Sequence, residues 1–119
     1  MDFAYDDQNI FAKILRGEIP NTTVYENDHA LAFRDLYPQA PVHVLVIPKK
    51  KIQGFSNLKG QSAIETGEYI NRVSLVAEKL GLESGGYRVV FNNGSDGGQT
   101  VDYIHAHILG GRGLSWPPG

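Results

Sequence analysis

The sequence contains no cysteine. That absence excludes disulfides, a thiolate nucleophile and any zinc or iron–sulfur site built on thiolates. It also suits a reducing, cytoplasmic setting. No charge of one sign dominates. Eleven Lys and Arg against 13 Asp and Glu leave a net −2, too little to give a basic field for nucleic acid. Long apolar runs are missing too. The longest, Val42 to Pro48, is broken by His43 and falls far short of the ~20 residues that span a bilayer. The acidic start, Met1 to Asp7, has no apolar stretch behind it and does not read as a secretory leader. What remains is an ordinary globular composition, 41% hydrophobic and 20% charged over 119 residues. That length predicts one domain, residues 1–119.

No internal repeat, low-complexity tract or linker interrupts the chain. Asn9 is placed to cap a short helix carrying Ile10, Phe11, Ile14 and Leu15 on one face, ended by Gly17 and Pro20. Thr22–Glu26 and His29–Asp35 flank the turn pair Asn27-Asp28 and predict a hairpin. Val42–Ile47 reads as a central strand covered on both faces, with His43 its one polar residue. Ser62 and Glu65 fit a capping box, and the apolar spacing after them predicts one long helix over roughly 62–80. Two strands follow, Tyr87–Phe91 and Tyr103–Leu109, separated by the polar glycine-rich loop Asn92–Gln99. This order predicts an α+β fold with a mainly antiparallel sheet.

The chemistry concentrates in Tyr103-Ile-His-Ala-His-Ile-Leu109. On a strand, Ile104, Ala106 and Ile108 would face the core while Tyr103, His105 and His107 face the other way. Two imidazoles on one face of a buried-type strand each need partners for both ring nitrogens. Spacing alone leaves three readings open: surface histidines, a zinc site completed by His43, and acid–base or nucleophilic catalysis. The only carboxylate near the pair in sequence, Asp102, points to the opposite face of a regular strand. The glycines of the preceding loop let backbone N–H groups approach an anion, while Asn92, Gln99 and Thr100 add neutral donors. Lys49-Lys50-Lys51 reads as a solvated strand end and His29 as exposed. Phe11, Ile19, Phe33 and Trp116 read as core or interface residues, or as walls of an apolar slot for a base.

The chain resembles the histidine triad family, and within it the branch of purine nucleoside phosphoramidases. The resemblance rests on Phe11-Ala-Lys-Ile-Leu-Arg-Gly-Glu-Ile-Pro20, Leu31-Ala-Phe-Arg-Asp-Leu36 and Pro38-Gln-Ala-Pro-Val-His-Val-Leu-Val-Ile-Pro-Lys-Lys50. It continues through Asn92-Asn-Gly-Ser-Asp-Gly-Gly-Gln99, Ile104-His-Ala-His-Ile-Leu-Gly-Gly111 and the closing Trp116-Pro-Pro-Gly119. Motifs in order from about Asn9 to Gly119 are far more specific than a His-x-His pair.

The resemblance implies an α+β unit whose homodimer joins two five-stranded sheets into one of ten strands, with the long helix and the strand near Tyr87–Phe91 at the interface. It implies a nucleotide hydrolase acting on nucleoside 5′-phosphoramidates of the AMP type. His105 would attack the α-phosphorus, His107 contact the phosphate and His43 support the site. Asp35 would hold the ribose hydroxyls. Phe11, Ile19, Phe33 and Leu36 would wall the base pocket, joined by Trp116, and Asn92, Gly98, Gln99 and Thr100 would meet the phosphate. No metal or other cofactor enters the scheme, and the partners are a purine nucleotide and a second copy of the chain, with neither nucleic acid nor membrane. The alternative is a nucleotide-binding regulatory protein with little turnover. One departure stands out: Tyr103 replaces the family's first triad histidine. In the family the backbone carbonyl at this position orients the nucleophile, and a tyrosine keeps that carbonyl.

Overall fold

A computed structural model describes residues 5–119. Helix α1 (Ile10–Leu15) starts where expected, with the Asn9 side chain accepting a hydrogen bond from the Ala12 N–H. The hairpin follows as β1 (Thr23–Glu26) and β2 (Ala30–Arg34), then β3 (Val42–Pro48). A 3₁₀ turn over Phe55–Gly60, which the sequence did not announce, leads to helix α2 (Ala63–Lys79). Ser62 caps α2 by accepting from the Glu65 N–H, but only half of the capping box forms, because the Glu65 carboxylate pairs with Lys50 instead. Strands β4 (Tyr87–Val90) and β5 (Ala106–Gly110) complete one antiparallel sheet in the order β1-β2-β3-β5-β4.

Alternation along β3 divides the core. Val44 and Val46 pack with Tyr69, Val73, Val76 and Ala77 of α2, while Leu45 and Ile47 pack with Phe11 and Ile14 of α1. Each face is therefore closed by one helix, which explains why this central strand is apolar almost throughout. Its ladder to β5 places Leu45 opposite His107 and His43 opposite Leu109.

One expectation is corrected. The last strand begins at Ala106, not Tyr103. Residues 101–105 are irregular, since the Tyr103 N–H turns back to the Val101 carbonyl and the Ile104 N–H leaves the sheet for the Ile52 carbonyl. The two-sided assignment survives this irregularity. Ile104, Ala106 and Ile108 join the α2 side, and Tyr103 joins the α1 side. The three lysines end in surface ion pairs, Lys49 with Glu26, Lys50 with Glu65 and Lys51 with Asp7.

Candidate active site

The α1 side of the sheet gathers the imidazoles. His105 is buried, and its ring meets the edge of Phe11 with centroids 4.8 Å apart. The His107 ring lies 5.0 Å from that of His105 and 5.2 Å from that of His43. The last two sit on neighbouring strands one register step apart, which makes them diagonal neighbours on one face. The loop after β2 brings Asp35 to the cluster: its N–H donates to the His43 carbonyl, and Oδ2 lies 3.5 Å from His43 Nε2. This carboxylate, 70 residues from His105 in sequence, is the neighbour that local spacing missed; Asp102 is exposed.

The hydrogen bonds assign the tautomers. His105 Nδ1 lies 2.7 Å from the Tyr103 carbonyl, which only accepts, so Nδ1 carries the hydrogen and Nε2 the lone pair. The Gln39 N–H donates to His43 Nδ1 at 3.0 Å, so in the neutral His43 ring the hydrogen is on Nε2. That hydrogen is donated to His107 Nδ1, 2.9 Å away, and the remaining His107 hydrogen is on Nε2. His107 Nε2 is buried and has no partner among the described residues.

Burial favours these neutral rings by lowering all three imidazole pKa values. For His105 the lowering is opposed by the Tyr103 carbonyl and then by Asp35. For His107, burial is reinforced by the neighbouring histidines and brings the pKa to about 4.

Beside the imidazoles lies a slot of about 290 Å³. Phe11, Ile19, Phe33 and Leu36 line it, together with Asp35 and Thr100. Trp116 does not; it stands 80% exposed at the other end of the chain. Asn92, Gly98 and Gln99 also lie outside the slot, in the glycine-rich loop. Gln99 holds that loop together. Its Nε2 donates to the Gln53 and Val101 carbonyls, and its Oε1 accepts from the Gly94 N–H. Gly97 is required by close approach, since a Cβ there would stand 2.5 Å from the Asn93 carbonyl oxygen.

Asp35, His43 and His107 place ligand-type atoms within 4.8 Å of one another. Their hydrogen bonding does not suit a cation. A metal at His43 Nε2 would force the ring hydrogen onto Nδ1, against the Gln39 N–H that Nδ1 accepts. It would also displace the hydrogen bond that occupies His107 Nδ1.

Comparison with known proteins agrees with the fold. The HIT domain model matches residues 16–114. A 14 kDa zinc-binding protein of Zea mays is 47% identical, with 96% of this chain and 90% of the relative covered. An adenylylsulfatase, HINT1, of Arabidopsis thaliana is 45% identical, covering 96% and 78% respectively. Among solved structures, a HIT family hydrolase from Legionella pneumophila superposes with a TM-score of 0.87 at 47% identity, covering 92% of this chain and 98% of its own. The metal in the maize protein's name finds no suitable donor set in the Asp35–His43–His107 arrangement here. Sheet order, imidazole cluster and relatives lead to one family, and the chain belongs to the HIT domain family.

Proposed function

We propose that this chain hydrolyses nucleoside 5′-phosphoramidates of the AMP type through a nucleotidyl-histidine on His105. The observation that carries the reading is the His105 Nδ1–H bond to the Tyr103 carbonyl, which leaves Nε2 unprotonated as the nucleophile. Phe11 touches that ring and also lines the slot, so the nucleophile and the proposed base pocket share a wall. In the first step the Nε2 lone pair bonds to the α-phosphorus while the P–N bond to the amine breaks, and the amine leaves with a proton from solvent. In the second, water attacks the same phosphorus, the bond to His105 breaks and AMP departs, with the surplus proton passing to solvent. The buried His107 Nε2–H, Thr100 and the N–H groups of the Asn92–Gly98 loop meet the charge on the phosphoryl oxygens. Asp35 takes the ribose hydroxyls.

Hydrolysis in general is supported by the description of the Legionella relative, and an adenylyl-containing substrate by the adenylylsulfatase name of the Arabidopsis one. We read the chain as one domain, acting in the cytoplasm as a homodimer, independent of metal and of nucleic acid. Among the described residues no helix is long and apolar enough to cross a membrane. The test is a panel of adenosine phosphoramidate, adenylyl sulfate, aminoacyl-adenylates and dinucleoside polyphosphates, given to the unmutated protein and to His105→Ala. The phosphoramidate should be the best substrate. The variant should lose roughly a thousandfold or more in kcat while binding AMP within about threefold, because a covalent nucleophile is gone and the slot is intact. Near-normal kcat in the variant overturns the mechanism. AMP binding without turnover by the unmutated protein leaves the regulatory reading.

A further inference from the structure

The peptide unit between Tyr103 and Ile104 controls the nucleophile, yet it belongs to no strand. Its carbonyl accepts from His105 Nδ1, and its N–H donates to the Ile52 carbonyl at 2.8 Å. These two bonds leave opposite sides of one planar group. They stop the plane from spinning but do not fix where its α-carbon sits. The Tyr103 side chain supplies that third point. It is 1% exposed, its ring meets Tyr5 edge-on, and its hydroxyl reaches the Pro48 and Lys50 carbonyls. Pro48, Lys50 and Ile52 all belong to the same exit from β3. One short stretch of backbone thus presents three carbonyls to the segment that aims His105.

We propose that Tyr103 is a positioning residue, whose hydroxyl, bonded to the Pro48 and Lys50 carbonyls, fixes the carbonyl that orients His105. The inference rests on His105 as the nucleophile. The tyrosine is then a working replacement for the triad histidine, anchoring through its side chain as well as contributing its carbonyl. A phenol is suited to this place because its one hydrogen is shared between the two accepting carbonyls and, with its pKa pushed far up by burial, it stays neutral.

The test compares Tyr103→Phe with Tyr69→Phe in the full chain. Tyr69 is a control of the same kind. It is 2% exposed and its hydroxyl donates to the Val46 carbonyl, but it lies on the α2 side, away from the imidazoles. Both variants should lower Tm by similar amounts. Only Tyr103→Phe should lower kcat for adenosine phosphoramidate, by roughly ten- to a hundredfold with KM within about threefold, as a misaimed nucleophile does. Its ¹⁵N spectrum should show His105 exchanging between tautomers, where the unmutated protein shows Nδ1–H alone. Replacing Tyr103 by 4-aminophenylalanine, which restores a donor, should return kcat to within about threefold and also serves if the Phe variant does not fold. Unchanged kcat and tautomer in Tyr103→Phe overturn the proposal, as do equal kcat losses in both Phe variants. If the unmutated protein turns over no phosphoramidate, the reading of its function fails, while the tautomer comparison still decides the role of Tyr103.

Discussion

The hydrogen between His43 and His107 points from His43 Nε2 to His107 Nδ1, across 2.9 Å, because the Gln39 N–H occupies the other nitrogen of His43. A backbone amide in the loop before β3 therefore decides which nitrogen of His107 can donate. The donor left over, His107 Nε2–H, is buried and unpaired among the described residues, a costly state for a polar group in a protein that binds nothing there.

Three neutral, buried imidazoles make both stability and activity depend on pH. Their folded pKa values lie below the ordinary 6.5, that of His107 at about 4, so the unfolded chain takes up protons first as the pH falls. Their contribution to stability is complete above about 6.5 and is lost as the pH falls below it, for His107 down to about 4, with a slope of at most ~1.4 kcal/mol per pH unit for each histidine. Denaturant melts at pH 7 and pH 5 should show the loss, and His107→Asn should make it shallower. The acid limb of kcat/KM should fall below pH 6.5, since His105 must lose its proton to attack. A limb above 6.5 would mean that a different group titrates.

Chelators should leave activity unchanged. The tautomer that Gln39 imposes on His43 keeps a hydrogen on the nitrogen that a cation would need. Protein purified without added metal should contain far less than one zinc per chain. Stoichiometric zinc, with activity lost to a chelator and restored by the metal, would show that the Gln39 contact yields to a metal.

The sheet, both helices and the capping residues were legible because each rests on local chemistry: the Asn9 and Ser62 caps, the apolar run of β3 and the α2 periodicity. Alternation even put Tyr103, Ile104, Ala106 and Ile108 on their correct sides of the core. Strand regularity was the overreach, because the Ile104 N–H is claimed by Ile52, more than fifty residues earlier. The approach of Asp35 to His43 and the Gln39 N–H come from the loop after β2 folding back onto the start of β3; both residues are near His43 in sequence, but the turn that aims them at its ring is not written in the His-x-His spacing. The resemblance makes Gln99 a phosphate contact, and in this structure both ends of its side-chain amide are bonded within the protein, a role the spacing did not show.

Asp35 should discriminate ribose from deoxyribose. Its Oδ1 accepts from the Tyr37 N–H at 2.8 Å, which fixes the carboxylate at the slot with acceptor capacity to spare. A sugar lacking one hydroxyl leaves an acceptor dry, at a cost of roughly 1–3 kcal/mol, so kcat/KM should fall about ten- to a hundredfold for the deoxy substrate. Asp35→Ala should erase most of that preference. Equal use of both sugars by the unmutated protein would place the ribose elsewhere.

The chain should be a homodimer at micromolar concentration. Among the described residues strand β4 pairs with β5 on one side only, and it exposes Tyr87 at 38% and Val89 at 40% along that edge of the sheet. Open apolar edges invite a further strand, and a two-fold axis beside β4 would supply an identical one, making the sheet ten-stranded. Helix α2 leaves Ile64 and Ile70 exposed as well, beyond the stripe that Tyr69, Val73, Val76 and Ala77 bury. Arg88, on the same strand, donates to the Ser115 carbonyl and so holds the tail that carries Trp116 near this edge. Covering that surface would remove apolar area from water on both copies. Light scattering should therefore report twice the chain mass. Val89→Arg, which sets like charges against each other across the two-fold, should report the single mass at the same concentration. A monomer in the unmutated protein removes the dimer, and a dimer that survives Val89→Arg moves the interface away from β4.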